Sequence, residues 1–230
     1  MKIIILPGLD GTGLLLAEFE TILAQQHSVS VIQYPPELFR YEDLHRWIEK
    51  ELPDDDFIFI AESFSGPLAI MLAAQKLPNL KGVIFVATFA RSPISLPQIA
   101  THLVSVMPIK SAFLSFMIQP LVMGRWSNES FTRSFRNAMQ IVPKATLTRR
   151  LSEVLTVDVR EQLKSLSLPL LYLLATQDRL VPERMSRDFD LGPGTIFAVD
   201  APHFLLQSRA EEAAKAVSAF LLRCEGGQER

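Results

Sequence analysis

Six times along the chain a run of five to nine mostly apolar residues appears, and stretches of helical periodicity separate them. The runs are KIIIL (2–6), SVSVIQY (28–34), FIFIA (57–61), GVIFVAT (82–88), LPLLYLLAT (168–176) and TIFAVD (195–200). Most are continuously apolar rather than alternating. A strand with apolar side chains on both faces must be covered on both, as parallel strands between two helical layers are. Strand alternating with helix therefore predicts an α/β fold, with a parallel sheet and right-handed crossovers. Leu44, Trp47, Ile48 and Leu52 form one apolar stripe at helical spacing. The last helix is expected to start at an S-x-x-E capping box, Ser208 to Glu211, and to bury Ala213, Val217, Phe220 and Leu221.

The rhythm breaks once, between the fourth and fifth strands. Residues 91–160 carry no strand signal and read as helical, with interruptions at Pro93, Pro97, Pro108, Pro120 and Pro143. A connection of that length is functional or has structure of its own. It is expected to be a helical lid over the C-terminal edge of the sheet, which leaves residues 1–90 and 161–230 as the core.

Composition narrows the function classes. The chain has 230 residues, 48% of them hydrophobic, enough for one sizeable α/β core. Its net charge of −2 lacks the basic excess that phosphate-dominated binding needs, so nucleic acid is not expected as a partner. The one cysteine, Cys224, allows no internal disulfide, which fits a reducing compartment. Met1 leads directly into KIIIL without an apolar leader, and no apolar run reaches the roughly 18 residues of a membrane span. A cytoplasmic location is the expectation. No zinc-type Cys/His cluster appears, and neither a metal nor a cofactor is called for.

The third apolar run ends in Ala61-Glu62-Ser63-Phe64-Ser65, and a helix-like run follows at once. This is small-x-Ser-x-small, a relaxed form of G-x-S-x-G. In that motif the serine sits on a strained strand-to-helix turn, and its small neighbours let the backbone pass close to adjacent elements. Gly66 relieves crowding, and Pro67 is tolerable where early helical N–H groups lack intrahelical partners. Ser65 is a weaker nucleophile candidate, because its own frame puts Pro67 where a small residue should stand. A serine hydroxyl needs a base. His203 follows the last strand, in DAPHF, and Asp178 follows the fifth, in ATQDRLVP. The order Ser, Asp, His at three strand ends is the arrangement in which a carboxylate orients an imidazole that activates an alcohol. Donors for a tetrahedral oxyanion are expected from the N–H of Phe64 and from LPGLDGTG (6–13), with Leu9 N–H as the candidate. Asp10 in that loop reads as a turn former.

On LPGLDGTG, AESFSG, ATQDRLVP and DAPHF the chain resembles the α/β-hydrolase superfamily over essentially its full length, and in particular its short, lid-bearing esterases and thioesterases. It departs in having Ala61 at the first elbow position and Leu-Pro-Gly where many relatives have His-Gly. It also opens at what resembles the family's third strand. The resemblance therefore implies about six parallel strands, without the antiparallel N-terminal hairpin. It also implies an acyl-enzyme mechanism carried by Ser63, Asp178 and His203.

The lid's apolar residues include Met123, Trp126, Phe135 and Met139. Most are expected to pack the lid onto the body, and some to line an acyl pocket. Nine basic against three acidic residues within 91–160 give the lid +6 and leave −8 for the rest. Arg125, Arg133, Arg136, Arg149 and Arg150 belong to this basic set, which suggests either an anionic partner or a solvated basic face. An acyl carrier protein or acyl-coenzyme A would fit. The resemblance includes carrier-protein methyl ester esterases and type II thioesterases. The expected activity is hydrolysis of an ester or thioester, for instance a pimeloyl-carrier-protein methyl ester. An acyltransferase and a non-catalytic binding protein on the same fold are the alternatives, with a lyase or cofactor-free oxygenase behind them.

Overall fold

In the computed structural model, which describes residues 1–94, 122–189, 192 and 195–226, the six apolar runs form six strands. They are β1 (Lys2–Leu6), β2 (Ser28–Val31), β3 (Phe57–Glu62), β4 (Leu80–Val86), β5 (Leu170–Ala175) and β6 (Ile196–Val199). All pair in parallel, in the order β2-β1-β3-β4-β5-β6. Several boundaries differ from expectation by one to three residues, and two of them have a visible cause. The second strand stops at Val31, because Tyr34 N–H turns away to bond the Gly11 carbonyl at 2.8 Å. The fourth stops at Val86, because Ala87 enters the left-handed region at φ 45°.

The helices are α1 (Ala17–Ala24), α2 (Tyr41–Ile48), α3 (Ser65–Ala74), α4 (Glu129–Ile141), α5 (Lys144–Thr156), α6 (Arg160–Lys164), α7 (Leu205–Ser208) and α8 (Ala210–Gly226). They cover the sheet on both faces, and the period-2 geometry of the strands divides the core accordingly. Ile4, Phe57 and Phe59 pack with Leu44 and Ile48 of α2 and with Leu68 and Leu72 of α3. Ile3, Ile5, Ile58 and Ile60 pack with Phe19 of α1 and with Ala213, Val217, Phe220 and Leu221 of α8. Each of the larger side chains among these contributes about 1.5–3 kcal/mol when fully buried. β3 is buried at every position and lies in the middle of the sheet, so the turn that follows it is anchored from both sides.

The expected capping box does not form. Ser208 N–H already bonds the Phe204 carbonyl at 3.0 Å, so Ser208 closes a helical turn and is not extended as a cap must be. The Arg209 carbonyl accepts the first bond of α8, from Ala213 N–H at 2.9 Å, and Ser208 Oγ lies 3.4 Å from the Leu205 carbonyl instead.

After β4 the chain enters the helical insertion, and its two ends meet. Arg91 and Asp158 form an antiparallel bridge, flanked by Ser92 N–H to the Val157 carbonyl at 2.9 Å and Val159 N–H to the Ala90 carbonyl at 2.7 Å. Within the insertion, Asn128 caps α4, its Oδ1 accepting from Phe131 N–H at 2.7 Å. The interruptions expected at Pro97, Pro108 and Pro120 lie outside the described residues. Among the described residues, no helix is long and apolar enough to cross a membrane.

Candidate active site

The site begins where β3 hands over to α3. Ser63 holds a left-handed backbone (φ 50°), which costs a non-glycine residue of order 1–3 kcal/mol. Its neighbours impose it. Ser63 N–H bonds the Val86 carbonyl at 2.9 Å, its carbonyl accepts from Thr88 Oγ1, and Gly66 N–H reaches the same carbonyl at 3.2 Å. A Cβ on Gly66 would stand 2.0 Å from Thr88 Oγ1, so glycine is needed there for close approach. Pro67 sits in the first turn of α3, where its missing N–H has no partner to lose. Phe64 is buried, with its carbonyl bonded by Tyr41 Oη at 2.9 Å and its ring stacked on Tyr41 at 4.7 Å.

The structure brings the three distant residues together. Ser63 Oγ lies 2.9 Å from His203 Nε2, and His203 Nδ1 lies 2.7 Å from Asp178 Oδ2. The other carboxylate oxygen of Asp178 accepts from Leu180 N–H at 2.7 Å and Val181 N–H at 2.9 Å. That carboxylate is therefore fixed in direction, and it holds the proton of a neutral imidazole on Nδ1, leaving Nε2 to accept from Ser63. Burial alone pushes the His203 pKa down. The charge and hydrogen bond of Asp178, with the charge of Glu62, outweigh it, and the net shift is upward. Such an imidazole takes up a proton more readily than a free one.

A sequence model described as "Alpha/beta hydrolase family" matches residues 5–216. The chain belongs to the alpha/beta hydrolase family. Solved structures agree on the fold. An enol-lactonase from Burkholderia xenovorans LB400 superposes with a TM-score of 0.83 at 17% identity, covering 96% of this chain and 91% of that one. A bromoperoxidase from Bacillus anthracis gives 0.81 at 16% identity, with the same coverage of 96% and 91%. An esterase from Exiguobacterium antarcticum gives 0.82 at 10% identity, again covering 96% and 91%. No curated protein matches.

In this alpha/beta hydrolase the loop after β1 runs beside Ser63. Leu9, Phe64 and Asp10 all line the same cavity as Ser63 and His203. No acceptor among the described residues takes the N–H of Leu9 or of Phe64. Asp10 is a turn former, as expected: its Oδ2 accepts from Thr12 N–H at 2.9 Å and from Thr12 Oγ1. Ser65 is wholly buried and engaged elsewhere. Its hydroxyl donates to the Pro7 carbonyl, so Tyr34 Oη, 2.6 Å away, donates to Ser65 Oγ.

Glu62 was not singled out from sequence. It is 3% exposed, accepts from Gln207 Nε2 at 3.0 Å and lines the cavity next to Ser63. Burial raises its pKa to about 7, against the lowering pull of the Gln207 hydrogen bond, the His203 charge and the Gly8 N–H, with Asp10 adding to the rise. A charged residue closing an all-apolar strand was the signal that could have flagged it.

The cavity above Ser63 has a volume of about 400 Å³, within the usual range for small-molecule sites. Its walls are almost entirely carbon. Phe135, Met139, Leu147 and Leu151 of the insertion face Phe89, Leu180 and Phe204 of the core, and the polar residues in the lining are Asp10, Glu62, Ser63 and His203. No arginine or lysine is among its described lining residues.

Several lid expectations need correction. Met123 does not line the cavity; it is buried against Leu15 and Phe131. Trp126 does not line it either, and stands with Arg125 and Arg209 over its ring at 4.3 and 5.5 Å. Arg150 is not a surface residue at all: it is 0% exposed and donates only to main-chain carbonyls. Arg125 pairs with Asp200 at 2.5 Å, and exposed Arg133 with Glu129 at 3.6 Å. Arg136 and Arg149 are exposed, the latter over the Phe39 ring at 4.5 Å. Among the described residues, no group of His, Cys, Asp and Glu side chains could hold a metal ion.

Proposed function

We propose that the protein is a serine hydrolase that cleaves a carboxylic ester or thioester of an uncharged, largely apolar acyl group through an acyl-enzyme. The observation that carries this reading is the continuous relay Asp178–His203–Ser63, at 2.7 and 2.9 Å, on the floor of a carbon-lined cavity. Ser63 Oγ attacks the acyl carbonyl carbon as its proton passes to His203 Nε2. Asp178 stabilises the imidazolium through Nδ1–H without taking the proton. The N–H groups of Phe64 and Leu9 hold the negative oxygen of the tetrahedral intermediate, each donor being worth about 3–4 kcal/mol in comparable enzymes. Collapse breaks the bond to the alcohol or thiol, which leaves with the proton from His203. Water then repeats the sequence against the acyl-enzyme, its proton going to His203 and its oxygen to the acid product.

Substrate charge follows from the lining. Asp10 and Glu62 put acidic groups in the cavity, and no arginine or lysine among its described lining residues balances an anionic acyl chain. The acyl part is therefore neutral, and any anionic carrier stays outside, where Arg133, Arg136, Lys144 and Arg149 are exposed. An ester on a carrier-protein arm meets both conditions.

The test is direct. Purified protein should hydrolyse p-nitrophenyl esters and be labelled by a fluorophosphonate at Ser63. Ser63→Ala should lose both, with an unchanged thermal midpoint. Turnover retained by Ser63→Ala would refute the assignment, and a wild-type Ser63 that escapes labelling would favour a binding protein on this fold.

A further inference from the structure

A fully buried arginine with no carboxylate in reach is costly unless every donor is satisfied. Arg150 of α5 is such a residue. No ion pair engages it among the described residues. Its guanidinium uses all five of its N–H groups on four main-chain carbonyls. Nη1 donates to Leu9 at 3.1 Å and Asp10 at 2.9 Å, Nη2 to Pro35 at 3.1 Å and Leu38 at 2.9 Å, and Nε to Leu38 at 3.2 Å. Three further carbonyls of the loop after β1 are taken as well. Pro7 accepts from Ser65 Oγ, Gly8 from Gly11 N–H at 3.0 Å, and Gly11 from Tyr34 N–H at 2.8 Å. Five consecutive carbonyl oxygens, residues 7 to 11, are thus held, and Arg150 supplies two of the bonds. Crowding enforces the fit, because a Cβ on Gly11 would stand 2.4 Å from Arg150 Nη1.

We propose that Arg150 is the positioning residue of the oxyanion loop: its planar fork pins the Leu9 and Asp10 carbonyls against the loop at 35–38 and so leaves Leu9 N–H for the developing oxyanion. This rests on the hydrolase reading above. A flip of the Gly8–Leu9 peptide, which would put the Gly8 carbonyl in place of Leu9 N–H, is opposed by the Gly11 N–H bond to that carbonyl, and the fork fixes the two peptides that follow. Lysine cannot substitute, since a single ammonium cannot span four carbonyls in one plane. The residue comes from the insertion, so the helical cover and the catalytic loop are set as one unit.

Arg150→Lys and Arg150→Met test this on the full chain. Loss of one oxyanion donor or a shift of about 1 Å costs roughly 10²-fold. Both variants should lose about that factor in kcat, with KM within a few-fold of wild type. Affinity for a trifluoromethyl ketone, which forms the tetrahedral adduct, should fall by a similar factor. Millimolar guanidinium should restore part of the kcat of Arg150→Ala. Variants that keep kcat and ketone affinity within threefold of wild type overturn the proposal. So does a kcat loss without loss of ketone affinity, because a merely structural role would act that way. A second measurement stands apart from catalysis: amide exchange of residues 8–11 should quicken at least tenfold in Arg150→Lys, the mildest change. If wild type proves inert towards esters and fluorophosphonate, the hydrolase reading fails by itself. Unchanged exchange would then overturn the loop claim separately.

Discussion

Glu62 ends an otherwise apolar strand and shares the cavity with Ser63 and His203. Its proton links stability to pH. Burial raises its pKa from 4.5 to about 7, so the folded protein keeps a proton that the unfolded chain has released. The group costs nothing below about pH 4.5, grows more destabilising as pH rises to 7, and levels off there at about 3 kcal/mol. Glu62→Gln removes that dependence. Its unfolding free energy, read from urea titrations, should gain on wild type between pH 4.5 and pH 8 by an amount near that figure. The negative carboxylate also helps to raise the His203 pKa, and catalysis needs the neutral imidazole. In Glu62→Gln the acidic limb of the kcat/KM profile should therefore move to lower pH; a limb that stays put would show that the two groups do not interact. Among single residues, Ser63, Asp178 and His203 were legible because each directly follows an apolar run. Arg150 was not. Its partners are carbonyls from two loops more than a hundred positions away, and carbonyls leave no trace in residue identity. Counting charge therefore placed it in solvent.

Helix α8 shows how far patterning reaches at the scale of an element. Its buried face, Ala213, Val217, Phe220 and Leu221, follows from 3.6-residue spacing alone. Its start did not, because the turn of α7 that follows His203 overrides a local capping signal. Phe220 is the member of that face most dependent on tertiary fit. Its ring fills the space left by Gly82 of β4, where a Cβ would lie 2.8 Å from it. Phe220→Ala should cost about 3–5 kcal/mol, read from urea unfolding. The same variant should leave KM unchanged at temperatures where it stays folded, since α8 packs on the sheet face opposite α3. The parallel order of the strands was legible for a similar reason: two-sided burial leaves no polar alternation along β3. Where β2 and β4 end was not, because a tertiary hydrogen bond at Tyr34 and the left-handed backbone of Ala87 decide it.

Around the cavity, the sign of charge differs between lining and surface. The cavity holds acidic groups and the described insertion surface carries arginines, several of them already paired. Two substrate series separate the consequences. Among p-nitrophenyl esters of equal length, an acyl chain ending in a carboxylate should show kcat/KM at least about 100-fold below its neutral counterpart, since it would bury an unpaired charge. Reversing Arg133, Arg136 and Arg149 to glutamate should slow turnover of acyl groups on an acyl carrier protein about tenfold or more, and leave small esters within twofold. Equal effects on both kinds of substrate would remove the carrier from consideration.

The bridge between Arg91 and Asp158 brings the two ends of the insertion side by side. Geometrically, then, the segment between them could be exchanged for one from another scaffold with little disturbance to the sheet. Chemically it could not be exchanged so freely. A graft without a guanidinium at the place of Arg150 would leave four carbonyls facing an empty hole, and the loop after β1 would lose two of the bonds that hold it.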